Sequence, residues 1–280
     1  MLHVPSVNDF RWTSSTTNTR PAASYGTSIT AGGSANTKGS YTQFSGGGIA
    51  EDAYGILINL NSADVNGFGR PMQVTIGKDD AGGTSYTDFI NDLLCGNAAP
   101  YNIGNGGFWY YFPVFMKAGA SLAAKAQCEQ ASKTVNIFAQ LFGKPAAPEA
   151  CRVGSFVRTF GADNTTSGGT AVTPGTASEG GYADLGTTAD DLWWWQLGSS
   201  CDDDTMAAIA YHCDLAIGDA SNKHLVLENI YMAHNGSEQR WHNPHGAYYQ
   251  SKSGNHVYGR MQCSGTSDSG MTMAAYAVGG

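Results

Sequence analysis

The sequence predicts an all-β protein built as two tandem antiparallel β-sandwiches that arose by internal duplication. Two observations carry this prediction. The chain of 280 residues contains the same motifs twice in the same order, and its apolar residues alternate in short segments bounded by Gly, Asn and Asp. The composition agrees, because 41% of the residues are hydrophobic, which is ample for a buried core.

The internal repeat is clearest towards the end of each half. Residues 119–128 and 254–263 share a leading Gly, a basic residue and a final Gln-Cys. Three upstream pairs of segments match in the same order: 38–44 with 179–185, 50–56 with 189–195, and 74–77 with 215–218. The repeat predicts a first unit over 1–145 with a Gly/Ser/Thr-rich N-terminal arm, and a second unit over 146–280 with a linker-like lead-in.

The elements predicted inside each unit are short strands. Period-two alternation of apolar residues marks a half-buried strand. Residues 118–130 favour a helix by propensity, but their repeat partner 253–264 is strand-like, so both are predicted to be strands. Residues 205–213 fit either a strand or a short helix. The alternating or aromatic runs are 56–60, 74–76, 108–116, 135–141, 193–197, 225–227 and 271–277.

Six motifs follow one another in the first unit. They are Lys38–Tyr41, Asp52–Ile56, Ile76–Gly83, Leu93–Asn97, Trp109–Phe115 and Lys117–Gln127. This set resembles the jelly-roll module of tailed-bacteriophage virion structural proteins. The second unit departs more from that module, since it carries Trp193–Trp195 and lacks the Gly-Gly turn of the first. The resemblance implies that each sandwich is jelly-roll-like.

The function implied by this resemblance is that of a non-enzymatic virion structural protein: a capsid decoration, collar, neck or tail-associated part. Its partners would be copies of itself and other virion proteins. The first residues have no basic or apolar region of a signal peptide, so we expect assembly in the host cytoplasm and release by lysis within the virion. An adhesin module that binds a host-surface glycan is the alternative, and a polysaccharide-degrading enzyme is the third.

Charge and hydropathy exclude two other classes of partner. The net charge is −8 and the 15 Lys and Arg are scattered, so no basic face for nucleic acid is expected. No apolar run approaches the roughly 20 residues of a spanning helix, so membrane insertion is not expected.

The cysteines and tryptophans are the candidate structural or contact residues. Six cysteines are either buried thiols or disulfide partners, with Cys201–Cys213 a plausible local pair and Cys151 placed for a bond between subunits. The tryptophans fill a core, form a subunit interface or contact a glycan. The candidates are Cys95, Cys128, Cys151, Cys201, Cys213 and Cys263 for disulfides, and Trp193, Trp194, Trp195 and Trp241 for contacts.

No catalytic residue, cofactor or metal is expected. His242 and His245 flank a proline in a loop-like sequence, and Asp202–Asp204 lack the spaced ligands of a calcium loop. The acidic pair at 51–52 matches the pair at 190–191, which indicates turn chemistry, since a catalytic pair would be unique to one unit. On the strands, Trp193 and Trp195 are expected to share one face and Trp194 the other.

Overall fold

The computed structural model describes residues 10–13, 26–62, 71–96, 108–145, 152–201, 210–235, 238–239, 246–265 and 270–280. Within these ranges every regular element is a β-strand, which confirms the all-β prediction and the strand at 118–130. The same ranges contain no helix with the length and apolarity to cross a membrane.

The strands of the first half form two sheets. Sheet I has the order β1-β9-β4-β7 with β2 also on β9, and sheet II has the order β3-β8-β5-β6. We call these sheets and their connections the first unit. Its strands are β1 Phe10–Thr13, β2 Thr27–Thr30, β3 Thr42–Gln43, β4 Gly55–Ser62, β5 Pro71–Asp79, β6 Thr87–Gly96, β7 Phe108–Phe112, β8 Ser121–Cys128 and β9 Thr134–Pro145.

The strands of the second half repeat this arrangement. Sheet III has the order β11-β12-β20-β14-β18 with β10 also on β20, and sheet IV has the order β13-β19-β15-β16-β17. These sheets make the second unit. Its strands are β10 Phe156–Phe160, β11 Ala162–Asp163, β12 Gly168–Ala171, β13 Ala183–Thr187, β14 Leu192–Cys201, β15 Ala210–Gly218, β16 Lys223–Asn235, β17 Glu238–Gln239, β18 Gly246–Ser251, β19 His256–Cys263 and β20 Met271–Gly279.

All strand pairs in these sheets are antiparallel, and each unit has its own apolar core. Ile56, Ile58 and Leu60 alternate into the first core, as their spacing predicts, and are fully buried. The predicted tandem β-sandwich architecture is confirmed.

Strand register fixes which residues of the two units correspond. Thr75 lies opposite Lys125 in the first unit, and Asp214 lies opposite Arg260 in the second. Because Lys125 and Arg260 are repeat partners, Thr75 corresponds to Asp214. The sequence match of 74–77 with 215–218 is therefore wrong by two residues, a shift that keeps every side chain on its predicted face.

The first core continues into the second unit without a gap. Trp194 and Tyr276 of sheet III belong to the same buried cluster as Tyr110 and Phe112 of β7. The Tyr276 ring meets the Tyr110 ring edge-on, with centroids 5.3 Å apart. The Tyr276 hydroxyl accepts a hydrogen bond from the Leu94 N–H at 2.7 Å. The two units are thus joined by a buried surface that is both apolar and hydrogen-bonded.

A turn of the second unit, residues 163–168, also packs on the outer face of sheet II and forms hydrogen bonds with it. The Gln73 side-chain amide donates to the carbonyl oxygens of Asp163 and Gly168, at 3.1 and 2.7 Å. The Gln127 amide donates to the Asn164 carbonyl at 3.0 Å. Gln73 and Gln127 are 1% and 2% exposed, so these bonds satisfy polar groups that the turn removes from water.

Candidate functional site

The three consecutive tryptophans of β14 lie inside the protein. Trp193, Trp194 and Trp195 are 3%, 5% and 0% exposed. This burial agrees with the interpretation that these tryptophans fill a core, and it contradicts the alternative of a glycan contact, because no sugar can reach buried rings. Trp194 donates its Nε1–H to the Tyr111 carbonyl at 3.1 Å, so the interface it serves joins the two units of one chain. Trp241 lies outside the described residues.

A β-bulge changes the faces of these tryptophans. The register of β14 against β18 and β20 shifts between Leu192 and Trp194. Trp193 and Trp194 consequently both join the first core cluster, while Trp195 joins the second. The expectation that Trp193 and Trp195 share a face is wrong, because the extra residue of a bulge interrupts strict alternation.

The cysteines in the described residues are all buried. Burial raises the pKa of the Cys95 and Cys213 thiols well above their ordinary value. The candidate Cys201–Cys213 bridge is not formed, because the Cys213 thiol donates to Sδ of Met232 at 3.3 Å. Cys151 lies outside the described residues. The buried five are Cys95, Cys128, Cys201, Cys213 and Cys263.

Histidines and acidic residues do not form a metal site in the part of the chain that the structure describes. No three His, Cys, Asp or Glu side chains there come together as a ligand set. His256 Nδ1 instead lies 2.8 Å from Oδ2 of Asp184 on the surface. The loop histidines 242 and 245 and the aspartates 202–204 lie outside the described residues.

The acidic pairs at 51–52 and 190–191 stabilise turns by accepting hydrogen bonds from backbone N–H groups, as predicted. Asp52 accepts a hydrogen bond from the Ala118 N–H at 2.7 Å. Asp191 accepts one from the Ser253 N–H at 3.1 Å, at the corresponding position of the second unit. This use of the second residue of each pair confirms the interpretation of the repeat.

A different group of carboxyls occupies the outer face of sheet IV. We call Glu179, Tyr182, Asp214, Glu228 and Arg260 the acidic site. Arg260 places Nη2 at 2.8 Å from Oδ2 of Asp214 and at 2.5 Å from Oε2 of Glu179. One guanidinium nitrogen therefore holds two carboxyl groups side by side, one from β15 and one from the lead-in before β13.

Asp214 is the fixed, buried member of this pair. It is 2% exposed, and its Oδ2 also accepts from Nε of Arg260 at 2.9 Å. Its Oδ1 accepts from the Asn229 N–H at 2.7 Å, where a bulge and a positive φ of 54° turn β16 towards it. Three donors therefore satisfy both oxygens of this buried carboxyl.

Glu179 is the accessible member, with 31% of its side chain exposed. Burial and the hydrogen bond and negative charge of Asp214 raise the Glu179 pKa, outweighing the lowering effect of Arg260. The negative charge of Glu228, exposed on β16, raises this pKa further. Glu179 therefore holds a proton more readily than an isolated Glu side chain.

Aromatic and cationic side chains border the carboxyls. The Arg260 guanidinium lies 4.6 Å from the centroid of the Tyr182 ring. Lys223 Nζ lies 4.6 Å from the centroid of the Tyr258 ring, and the two tyrosine rings meet edge-on at 6.1 Å. The site thus combines carboxyl groups, cationic side chains and aromatic ring faces on one surface of sheet IV.

The first unit does not carry this site. At the corresponding positions it has Lys38 for Glu179, Thr75 for Asp214 and Asn91 for Glu228, whereas Lys125 keeps the basic charge of Arg260. Lys38 instead pairs with Asp92 at 2.6 Å. The three carboxyls are therefore unique to one copy.

Sequence reasoning missed this group because its members lie 81 residues apart along the chain, from 179 to 260. One signal was available. The alignment of 38–44 with 179–185 makes Lys38 equivalent to Glu179. A reversal of charge at a repeated position indicates that the two copies differ in function there. The partner Asp214 required the strand register.

Comparison with protein-family models and with curated proteins returns no match. Solved structures with a similar chain course include PNGF-II, with a TM-score of 0.38 and 8% identity, covering 92% of this chain. This chain spans 62% of the length of PNGF-II. Two further matches are PNGase F, a glycosylasparaginase from Flavobacterium meningosepticum, and a peptide-N(4)-(N-acetyl-β-D-glucosaminyl)asparagine amidase. Each has a TM-score of 0.36, 11% identity and 90% coverage of this chain, which spans 96% of their length.

This comparison corrects the predicted function. The expectation of a non-enzymatic virion structural protein is corrected by this finding, since two of the matched structures are by name a glycosylasparaginase and an asparagine amidase. At TM-scores of 0.36 to 0.38 the likeness assigns neither an activity nor a site residue to this chain. The resemblance to phage modules and the virion location stay predictions.

Proposed function

We propose that this chain is a glycan-cleaving hydrolase whose catalytic groups are the carboxyls of the acidic site. The observation that carries the proposal is the confinement of Glu179, Asp214 and Glu228 to the second unit, where Arg260 holds the carboxyls of Glu179 and Asp214 side by side. Hydrolysis of a glycosidic bond needs a carboxylic acid and a carboxylate in one site.

The roles follow from burial and charge. Glu179, accessible and with a raised pKa, is the proton donor to the leaving oxygen. Glu228, exposed on β16, is the second carboxylate facing the substrate. Asp214 is a positioning residue, because it is buried against Arg260 and acts by raising the pKa of Glu179.

The ring faces explain why the substrate is a sugar. Tyr182 lies beside both Glu179 and Arg260, and sugar rings pack their apolar faces on aromatic side chains. Asp184 and His256, paired at the same end of the sheet, add hydroxyl-binding groups.

The test is hydrolysis of a panel of polysaccharides and N-linked glycopeptides by the wild-type chain and by Glu179→Gln. Removal of a general acid is expected to lower kcat about 10²- to 10⁴-fold. Glu51→Gln, an exposed Glu in the first unit, is the matched control and is expected to keep full activity.

The pH dependence of kcat tests the positioning role of Asp214. Asp214→Asn is expected to shift the alkaline limb of the kcat profile to lower pH, because Glu179 then loses its proton more readily. A wild-type chain that cleaves no member of the panel, or a folded Glu179→Gln with full activity, would overturn the proposal.

A further inference from the structure

Two large apolar side chains are exposed on β16 and β18, which lie side by side. Tyr231 and Tyr248 are 53% and 39% exposed. Between the strands lies a cavity of about 440 Å³, lined by residues 226–231 and Gly246. An exposed apolar patch of this kind on a folded protein marks an interaction surface.

The same place on the first unit is covered. Leu94 lies opposite Gln73, as Tyr231 lies opposite His212, so Leu94 corresponds to Tyr231. Leu94 is fully buried, because sheet III of the second unit packs over it and Tyr276 binds its N–H. One repeated position is therefore an interface in the first unit and open surface in the second.

The hydrogen-bonded contact on the outer face of sheet II is likewise formed in the first unit, while the corresponding place in the second unit is open. Gln73 and Gln127 hold the turn at 163–168, whereas their counterparts His212 and Gln262 line an open cavity of about 200 Å³. Thr176 and Ser264 complete its polar wall. Among the residues that the structure describes, the second unit thus keeps both the polar and the apolar half of this contact without a segment packed on them.

The complementary face is present on the first unit. Sheet III covers β6 and β7 with the face that carries Gln196 and Tyr276. The corresponding face of sheet I carries Leu57 opposite Gln140, with Phe138 beside them, and all three are half-buried.

We propose that the β16–β18 face binds the outer face of sheet I of a second copy of this chain. The contact repeats between molecules the packing that joins the two units within one molecule. Each copy contacts one neighbour through its β16–β18 face and another through its sheet I face. The interface is therefore head-to-tail and generates a ring or an open chain of copies.

This assembly leaves the acidic site open. Lys38 and Asp88, which lie in the corresponding region of the first unit, keep 28% and 40% of their side chains exposed although the second unit is packed beside them. The inference therefore stands apart from the proposed hydrolase activity.

The experiment measures mass in solution by light scattering and native mass spectrometry. The wild-type chain is expected to form an oligomer, and Tyr231→Glu and Leu57→Glu are each expected to be monomers. Phe115→Glu is the control, since Phe115 is 39% exposed outside the proposed surface, and it is expected to remain oligomeric.

Mixing the two variants decides the geometry. Tyr231→Glu keeps an intact sheet I face and Leu57→Glu keeps an intact β16–β18 face, so the mixture is expected to give a one-to-one dimer. Circular dichroism checks that each variant is folded, and Gln140→Glu replaces Leu57→Glu if the latter is not. A monomeric wild type, or folded variants that do not form the mixed dimer, would overturn the inference.

Discussion

Tyr276→Phe tests the hydrogen bonds that join the two units. The Tyr276 hydroxyl accepts from the Leu94 N–H at 2.7 Å and donates to the Asp92 carbonyl at 3.0 Å, and the residue is fully buried. The substitution leaves the ring in place and removes only the oxygen. Because a buried N–H without an acceptor costs about 1–3 kcal/mol, we expect the free energy of unfolding to fall by about 2 kcal/mol.

The assay is equilibrium unfolding in urea, followed by tryptophan fluorescence, which reports the unit interface through Trp194. Tyr86→Phe is the control, because the Tyr86 hydroxyl is buried and has no hydrogen-bond partner among the described residues. Its removal is expected to be neutral or slightly stabilising. A loss below about 0.5 kcal/mol for Tyr276→Phe would refute the reasoning, since that is the size of an ordinary surface substitution.

Three further predictions concern charge, packing and reactivity. Glu179→Gln keeps the neutral form that the raised pKa favours, so its stability relative to the wild type is expected to rise as pH increases from about 4 upwards; urea titrations at several pH values measure this, and a constant difference contradicts it. Gly246→Ala would place a Cβ 2.1 Å from Cζ2 of Trp194, so thermal unfolding is expected to show a loss of about 1–3 kcal/mol; a Tm equal to the wild type would contradict the tight contact. Cys95 and Cys213 are expected to resist a thiol reagent until the chain unfolds, as mass spectrometry of the labelled native protein would show; rapid labelling of the native chain would disprove their burial.

The fold was largely predictable because it depends on short-range patterns. Alternation such as Ile56, Ile58 and Leu60 reports the buried face of a strand locally, and the repeat transfers that assignment to the other unit. The repeat also settled residues 118–130, where propensity alone favours a helix. The bulge at Trp193 was not predictable, because one extra residue in a strand leaves no mark in a run of identical side chains.

The acidic site depends on long-range pairing, which alternation does not report. Asp214 meets Arg260 only because β15 and β19 are adjacent in a particular register. Glu179 joins them from a lead-in without regular alternation. The unit interface was hidden for the same reason: Tyr276 and Leu94 are 182 residues apart, and neither has a sequence neighbour that indicates the contact.

The bulge in β14 has a consequence for how this chain tolerates insertions and deletions. A one-residue deletion in a central strand ordinarily sends every following side chain to the opposite face. In β14 the deletion of Trp193 would instead remove the surplus residue, leaving Leu192 and Trp195 in the second core with Trp194 alone between them on the interface side. The strand thus contains one position at which its length can change during evolution without reversing the pattern of the residues that follow.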